Sequence, residues 1–112
     1  PMALLGWTGD NGDPDNFLYV LLDKTSTRIP AQNIAFYRNN ELHEILKKAR
    51  TISARDQRTE LYHIAQEIIF RDAPWVPLVH ATQTAAFQKR IEGFRLHPTG
   101  TKWFHNVKIN TN

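Results

Sequence analysis

The sequence contains no cysteine, which excludes a disulfide framework, a thiolate metal site and a thiol nucleophile. That absence does not fix a compartment, since exported and cytosolic chains alike can lack cysteine. Long hydrophobic runs are missing too. No stretch approaches the roughly 18 to 20 apolar residues that a membrane-spanning helix requires. A strong charge of one sign is also absent: 14 Lys and Arg stand against 11 Asp and Glu, with a sequence pI near 9.5. Lys47, Lys48 and Arg50 form the only tight basic cluster, at the C-terminal end of an expected helix, where cations complement the helix dipole. They read as a solvated helix end, and no nucleic-acid partner is expected. What is present is a chain of 112 residues with 41% hydrophobic content, enough for one small domain or a piece of a larger one.

The chain opens on Pro1-Met2-Ala3-Leu4-Leu5, an apolar run without the charged leader and small-residue cleavage site of a signal peptide. It reads as a strand entered mid-fold. Thr8-Gly9-Asp10-Asn11-Gly12-Asp13-Pro14-Asp15 follows, a segment of turn formers in which Gly9 and Gly12 can take positive φ. Pro14 suits the first turn of a helix capped by Asp13, and Phe17, Leu18, Leu21 and Leu22 mark one apolar face. Residues 23–33 read as an exposed loop and Ile34–Tyr37 as a short extended piece. Leu42, Ile45, Leu46 and Ala49 predict a helix starting near Asn39 or Asn40. Ser53-Ala54-Arg55-Asp56 resembles a capping box before a longer helix carrying Leu61, Ile64, Ala65, Ile68 and Ile69, closed at Asp72-Ala73-Pro74. Trp75–His80, Thr84–Phe87, Ile91–Leu96 and Trp103–Ile109 are expected strands, with Pro77 favouring an edge. The pattern is α/β or α+β, and it is unbalanced: strands separated by helices in the first half and bunched in the second need sheet that the chain does not supply.

Few constellations offer chemistry. His43, His63, His80, His97 and His105 are far apart, with no pair at i, i+4, and the acidic loop lacks the terminal Glu of a calcium loop. No Ser lies in a Gly-x-Ser-x-Gly elbow, and Gly6, Gly9 and Gly12 are not followed by the Lys of a phosphate-binding loop. Neither an enzyme nor a bound cofactor or metal is expected. The acidic loop would repel phosphate and attract a cation. Asp10, just past the opening strand and beside Trp7, can neutralise an ammonium group through a charge-assisted hydrogen bond, with Trp7 as an apolar or cation–π wall. The alternative left open by these residues is that the aspartates only cap the helix and Trp7 is core.

Gly6-Trp7-Thr8-Gly9-Asp10-Asn11-Gly12-Asp13-Pro14-Asp15-Asn16-Phe17 closely resembles the signature of the peptide-binding proteins of bacterial ABC importers, extracytoplasmic solute-binding protein family 5, in its dipeptide-binding branch. The resemblance continues through Arg58-Thr59-Glu60-Leu61-Tyr62 with Ala65-Gln66, Ala73-Pro74, Val76-Pro77-Leu78, Ile91-Glu92-Gly93-Phe94 and Phe104-His105-Asn106-Val107. It implies an α/β chain: the C-terminal portion of a two-lobed type II periplasmic-binding-protein fold, about three helices plus several strands, incomplete alone. Within residues 1–112 it implies a hinge-proximal strand and ligand loop over 1–16, a helical part over 14–73 and C-terminal strands over 75–109. The implied function is binding a dipeptide or short peptide in the periplasm, or otherwise outside the cytoplasm, and delivering it unaltered to an ABC permease of the inner membrane. Asp10 would meet the ligand's ammonium group, the backbone of Gly6 and Thr8 would pair with an extended peptide, and Trp7 would line the pocket. The stretch from His80 to Thr82 matches a strand near the pocket and receives no contact. The basic group meeting the ligand carboxylate is expected in the remaining N-terminal part of the protein. Some relatives close the loop matching residues 23–33 with a disulfide; here that loop is expected to be more mobile. Related scaffolds take haem, nickel complexes or sugars, which leaves two alternatives: the same scaffold binding another solute, or a non-functional fragment of such a protein.

Overall fold

The computed structural model describes residues 2–111; Pro1, where the opening run begins, and Asn112 lie outside the described residues. The chain divides into two compact units, Pro1–Pro77 and Leu78–Asn112.

The first unit is helical. Helix α1 spans Asp15–Leu22, α2 spans Asn40–Thr51 and α3 spans Arg55–Asp72. Pro14 already has right-handed helical angles, φ −56° and ψ −27°, and the Asp13 carboxylate accepts the Asp15 N–H at 2.9 Å. The expected Asp-Pro start therefore forms. Asn39 caps α2 by accepting the Leu42 N–H at 2.9 Å, and Lys48 and Arg50 fall in its last turn. The apolar spacing of the three helices converges on one core: Leu21 and Leu22 from α1, Leu42, Leu46 and Ala49 from α2, and Tyr62, Ala65 and Ile68 from α3.

Two details of α3 differ from expectation. Ala54 precedes the helix with no side-chain cap, so Ser53 does not form the expected capping box. Ile64 is 36% exposed while Tyr62 is 5% exposed, which turns the buried stripe toward Tyr62. The reason is polar: Tyr62 can be buried because its hydroxyl accepts from Arg58 Nη2 at 3.0 Å, which satisfies the group that would otherwise disfavour burial. The helix ends at Ala73, in the left-handed region at φ 45°, just before Pro74. Asp72 draws α3 toward the start of α2 by accepting from the Tyr37 hydroxyl and Asn39 Nδ2, both at 2.7 Å. These hydrogen bonds, with Arg71, hold its carboxyl below the usual range. Burial, reinforced by the bond to Asp72, raises the Tyr37 phenol to about 12.

Residues 23–33 are not simply an exposed loop. Lys24–Thr27 form a short 3-10 turn, and Asp23 and Asn33 at the two ends are 0% and 1% exposed. Asn33 Nδ2 donates to the Asp23 carbonyl at 3.0 Å and to the Tyr37 carbonyl at 2.8 Å, while the Asn33 N–H donates to the Ser26 carbonyl. The buried Asp23 carboxylate takes the Thr25 N–H and lies 2.7 Å from His43 Nδ1. Hydrogen bonds thus tie the loop at both ends. The expected extended piece at Ile34–Tyr37 is instead a turn around the Asn33 amide, with Phe36 at φ 51°.

The opening run forms no strand among the described residues, and Met2, Leu4 and Leu5 are 104%, 83% and 61% exposed. A strand needs a neighbour to take its N–H and C=O groups, and the unit provides none. The same holds for Trp75–His80 and Thr84–Phe87, which are unpaired. In the second unit, β1 (Ile91–Glu92) pairs antiparallel with β4 (Lys108–Ile109), and β2 (Arg95–Leu96) with β3 (Lys102–Trp103). These replace the longer strands expected over Ile91–Leu96 and Trp103–Ile109. Gly93 sits between β1 and β2 at φ 79°, where a Cβ would run into the Asn106 carbonyl oxygen. Beside it, the Phe94 ring lies 5.9 Å from Phe87 and 5.8 Å from Phe104.

Candidate functional site

The segment from Gly6 to Asp10 has no regular structure of its own, and the first turn of α1 holds it in place. Asn16 makes two bonds to it. Its carbonyl accepts the Trp7 indole N–H at 3.1 Å, and its side-chain oxygen accepts the Asp10 backbone N–H at 2.8 Å. A Cβ on Gly9 would stand 3.4 Å from that same oxygen, at the near edge of ordinary contact. The turn continues with the Asn11 side chain accepting the Asp13 N–H at 3.0 Å and with Gly12 at φ 72°.

Asp13 anchors the loop to α3. Arg58 Nη1 and Nη2 donate to its two carboxylate oxygens at 2.9 and 2.8 Å, the bidentate geometry that makes Arg–carboxylate pairs strong and directional. Arg58 Nε donates to the Ala49 carbonyl at 2.9 Å, so one guanidinium joins the loop, the end of α2 and Tyr62. Its hydrogen bonds hold the Asp13 carboxyl below the usual range against the opposing effect of burial, and the same pairing raises Arg58. Asp15 behaves oppositely: burial raises its carboxyl despite Arg50, whose Nε lies 3.3 Å from Oδ1. That contact falls outside hydrogen-bonding geometry and leaves Oδ1 buried without a hydrogen bond. Arg50 also stacks on the Tyr19 ring at 4.1 Å, so part of the basic cluster is engaged within the unit.

Asp10 differs from both neighbours. It is exposed, and among the described residues its carboxylate has no hydrogen bond and no ion pair. Trp7 is 36% exposed, so it is not core. Its indole N–H is used by Asn16, which leaves the ring faces for apolar or cation contact. Gly6 and Thr8 are exposed, and a Cβ at Gly6 would meet nothing within 4 Å. No group of His, Asp and Glu suited to a metal occurs among the described residues. The structure therefore brings Trp7 and Asp10 together through Asn16. Reasoning from the sequence missed Asn16 and Arg58 as parts of this arrangement. The available signal for Arg58 was its place four residues before Tyr62, on the edge of an otherwise apolar helix face.

No family model matches the chain. Individual proteins do. It is 37% identical over 108 residues to the Heme-binding protein A of Haemophilus influenzae, covering 96% of this chain and 19% of that one. It is 36% identical over 108 residues to the Probable di/tripeptide-binding protein 5 of Pseudomonas aeruginosa, covering 96% and 20%. Among solved structures, the ABC transporter-associated periplasmic binding protein DppA of Helicobacter pylori, in complex with the peptide STSA, superposes with a TM-score of 0.74 at 36% identity, over 92% of this chain and 20% of that one. The chain is thus similar to bacterial binding proteins over nearly its whole length. It corresponds to a C-terminal portion of such a protein and spans about one fifth of the length of the curated relatives it matches. Three helices and a few short strands are the part of the larger α/β periplasmic-binding-protein fold that this portion carries. These relatives are named as binding proteins. Among the described residues no helix is long and apolar enough to cross a membrane.

Proposed function

We propose that this portion supplies the amine-holding side of a site for di- or oligopeptides, in a binding protein that works in the periplasm and hands its ligand unaltered to an ABC permease. The observation that carries the reading is the contrast among three neighbouring aspartates. Asp13 and Asp15 have arginines at 2.8 and 3.3 Å, while Asp10, on a loop braced by Asn16 and Arg58, has none among the described residues. An open carboxylate on a tethered backbone, without a cation, is suited to receive one, and the terminal ammonium of a peptide is such a cation. Trp7 gives the site an apolar wall. The backbone of Gly6 and Thr8, unpaired by any strand, is free to bond an extended peptide, a mode that tolerates varied side chains. Relatives named for di- and tripeptide binding, and a solved relative holding a peptide, support the same ligand class. The group that meets the peptide carboxylate belongs, in this reading, to the remaining N-terminal part of the protein.

In the full-length protein, Asp10→Ala is expected to weaken dipeptide binding by more than about 1.5 kcal/mol, the lower end for a hydrogen bond to a charged group. Wild-type affinity in that variant by calorimetry would remove the ammonium role. A second reading, haem as ligand, is favoured by the relative named as a haem-binding protein. It predicts a haem absorption change on titration together with failure of free dipeptides to bind.

A further inference from the structure

We infer that Asn16 is a positioning residue which, by holding Asp10 relative to Trp7, sets the preference for ligands with a free terminal amine; this rests on the peptide-binding reading of Asp10. Asn16 lies in the first turn of α1, a helix that packs into the core of the first unit. The Asp13 carboxylate starts that helix by accepting the Asp15 N–H, and its far end is buried at Leu21 and Leu22. From this fixed position the side-chain oxygen takes the Asp10 N–H at 2.8 Å, and the carbonyl takes the Trp7 indole at 3.1 Å. One residue thereby fixes the backbone that carries the Asp10 carboxylate and the Trp7 ring in a common frame. Gly9 allows the approach, since a side chain there would start at 3.4 Å from the same Asn16 oxygen. The two bonds differ in what they depend on. The indole bond goes to backbone and survives any substitution at residue 16, whereas the Asp10 bond requires a side-chain acceptor. A carboxylate whose backbone loses this tether must be ordered again when the ligand binds, and that cost falls on the ligand interaction made by Asp10.

The test uses the full-length protein and two probes, alanylalanine and its N-acetylated form, which lacks the ammonium. The wild type should prefer the free dipeptide by at least about tenfold, from the low end of a charged hydrogen bond, and Asp10→Ala should abolish the preference. Asn16→Ala should reduce the preference to a few-fold by weakening the free dipeptide alone, and Asn16→Asp, which keeps an acceptor, should restore most of it. If the Ala variant does not fold, Asn16→Ser, whose shorter hydroxyl falls short of the Asp10 N–H, takes its place with the same expectation. A variant that keeps the wild-type preference, or that loses affinity equally for both probes, overturns the positioning role while leaving Asp10 in place. A wild type indifferent to acetylation overturns the underlying reading, and that result comes from the wild type and Asp10→Ala without any variant at residue 16.

Discussion

Three aspartates within six residues have three different surroundings. Asp13 is paired, Asp15 is half-buried against an imperfectly placed arginine, and Asp10 is open. The pairing has a pH consequence. Arg58 holds the folded-state pKa of Asp13 below its ordinary value, so in the acidic range the unfolded chain binds more protons than the folded one, and stability rises with pH. The contribution is present above the ordinary carboxylate range, about pH 4, and is lost as pH falls through the lower folded-state value. Asp15 is shifted upward by burial, which gives the opposite slope. Urea melts across the acidic range should show a shallower acid loss in Asp13→Asn and a steeper one in Asp15→Asn; equal slopes in both variants and the wild type would contradict these assignments. The Asp13 cap was legible because it acts on its own neighbours. Its ion pair was not, since Arg58 lies 45 residues away and only the packed fold brings the two together.

At the scale of elements, the helices of the first unit were readable because their evidence is local: an apolar period in each, polar capping residues before α1 and α2, and a stop at Ala73-Pro74 after α3. Leu42 and Leu46 fall where the spacing put them and are fully buried. The misses are places where one polar group changes the outcome. Arg58 makes burial of the Tyr62 hydroxyl acceptable and turns α3 away from Ile64, while Asn33 folds a turn where β-branched and aromatic residues suggested extension. Strands were harder to read because pairing is a property of two segments. The resemblance through Ile91–Phe94 and Phe104–Val107 becomes intelligible once the chain is folded, since both motifs build one corner: β1 pairs with β4, Phe94 meets Phe104, and Gly93 gives way to the Asn106 carbonyl. Gly93→Ala should therefore destabilise the second unit by more than about 1 kcal/mol, the cost of Ala where φ is positive with a backbone clash added. Gly6→Ala, with open space around it, should stay within about 0.5 kcal/mol. Hydrogen exchange in the full-length protein distinguishes the two, and equal protection would contradict the packing described for Gly93.

At the scale of the molecule, the exposed apolar residues are informative. Met2, Leu4 and Leu5 in the first unit, and Val79 and Phe87 in the second, are each more than half exposed, as expected of segments without sheet neighbours in a chain that spans about one fifth of the length of its relatives. The imbalance between helices and strands made that incompleteness legible in the sequence. The candidate site has the same character: the loop carries an open carboxylate near an aromatic ring, and in the proposed reading the opposite end of the ligand is held outside this portion. The proposed role of Asp10 depends most directly on where a peptide amine lies. A crystal structure of the full-length protein with a bound dipeptide should place the terminal nitrogen about 2.7–2.9 Å from an Asp10 carboxylate oxygen, with the Trp7 ring against the ligand. A bound peptide whose amine is held by another group, with Asp10 facing solvent, would contradict it.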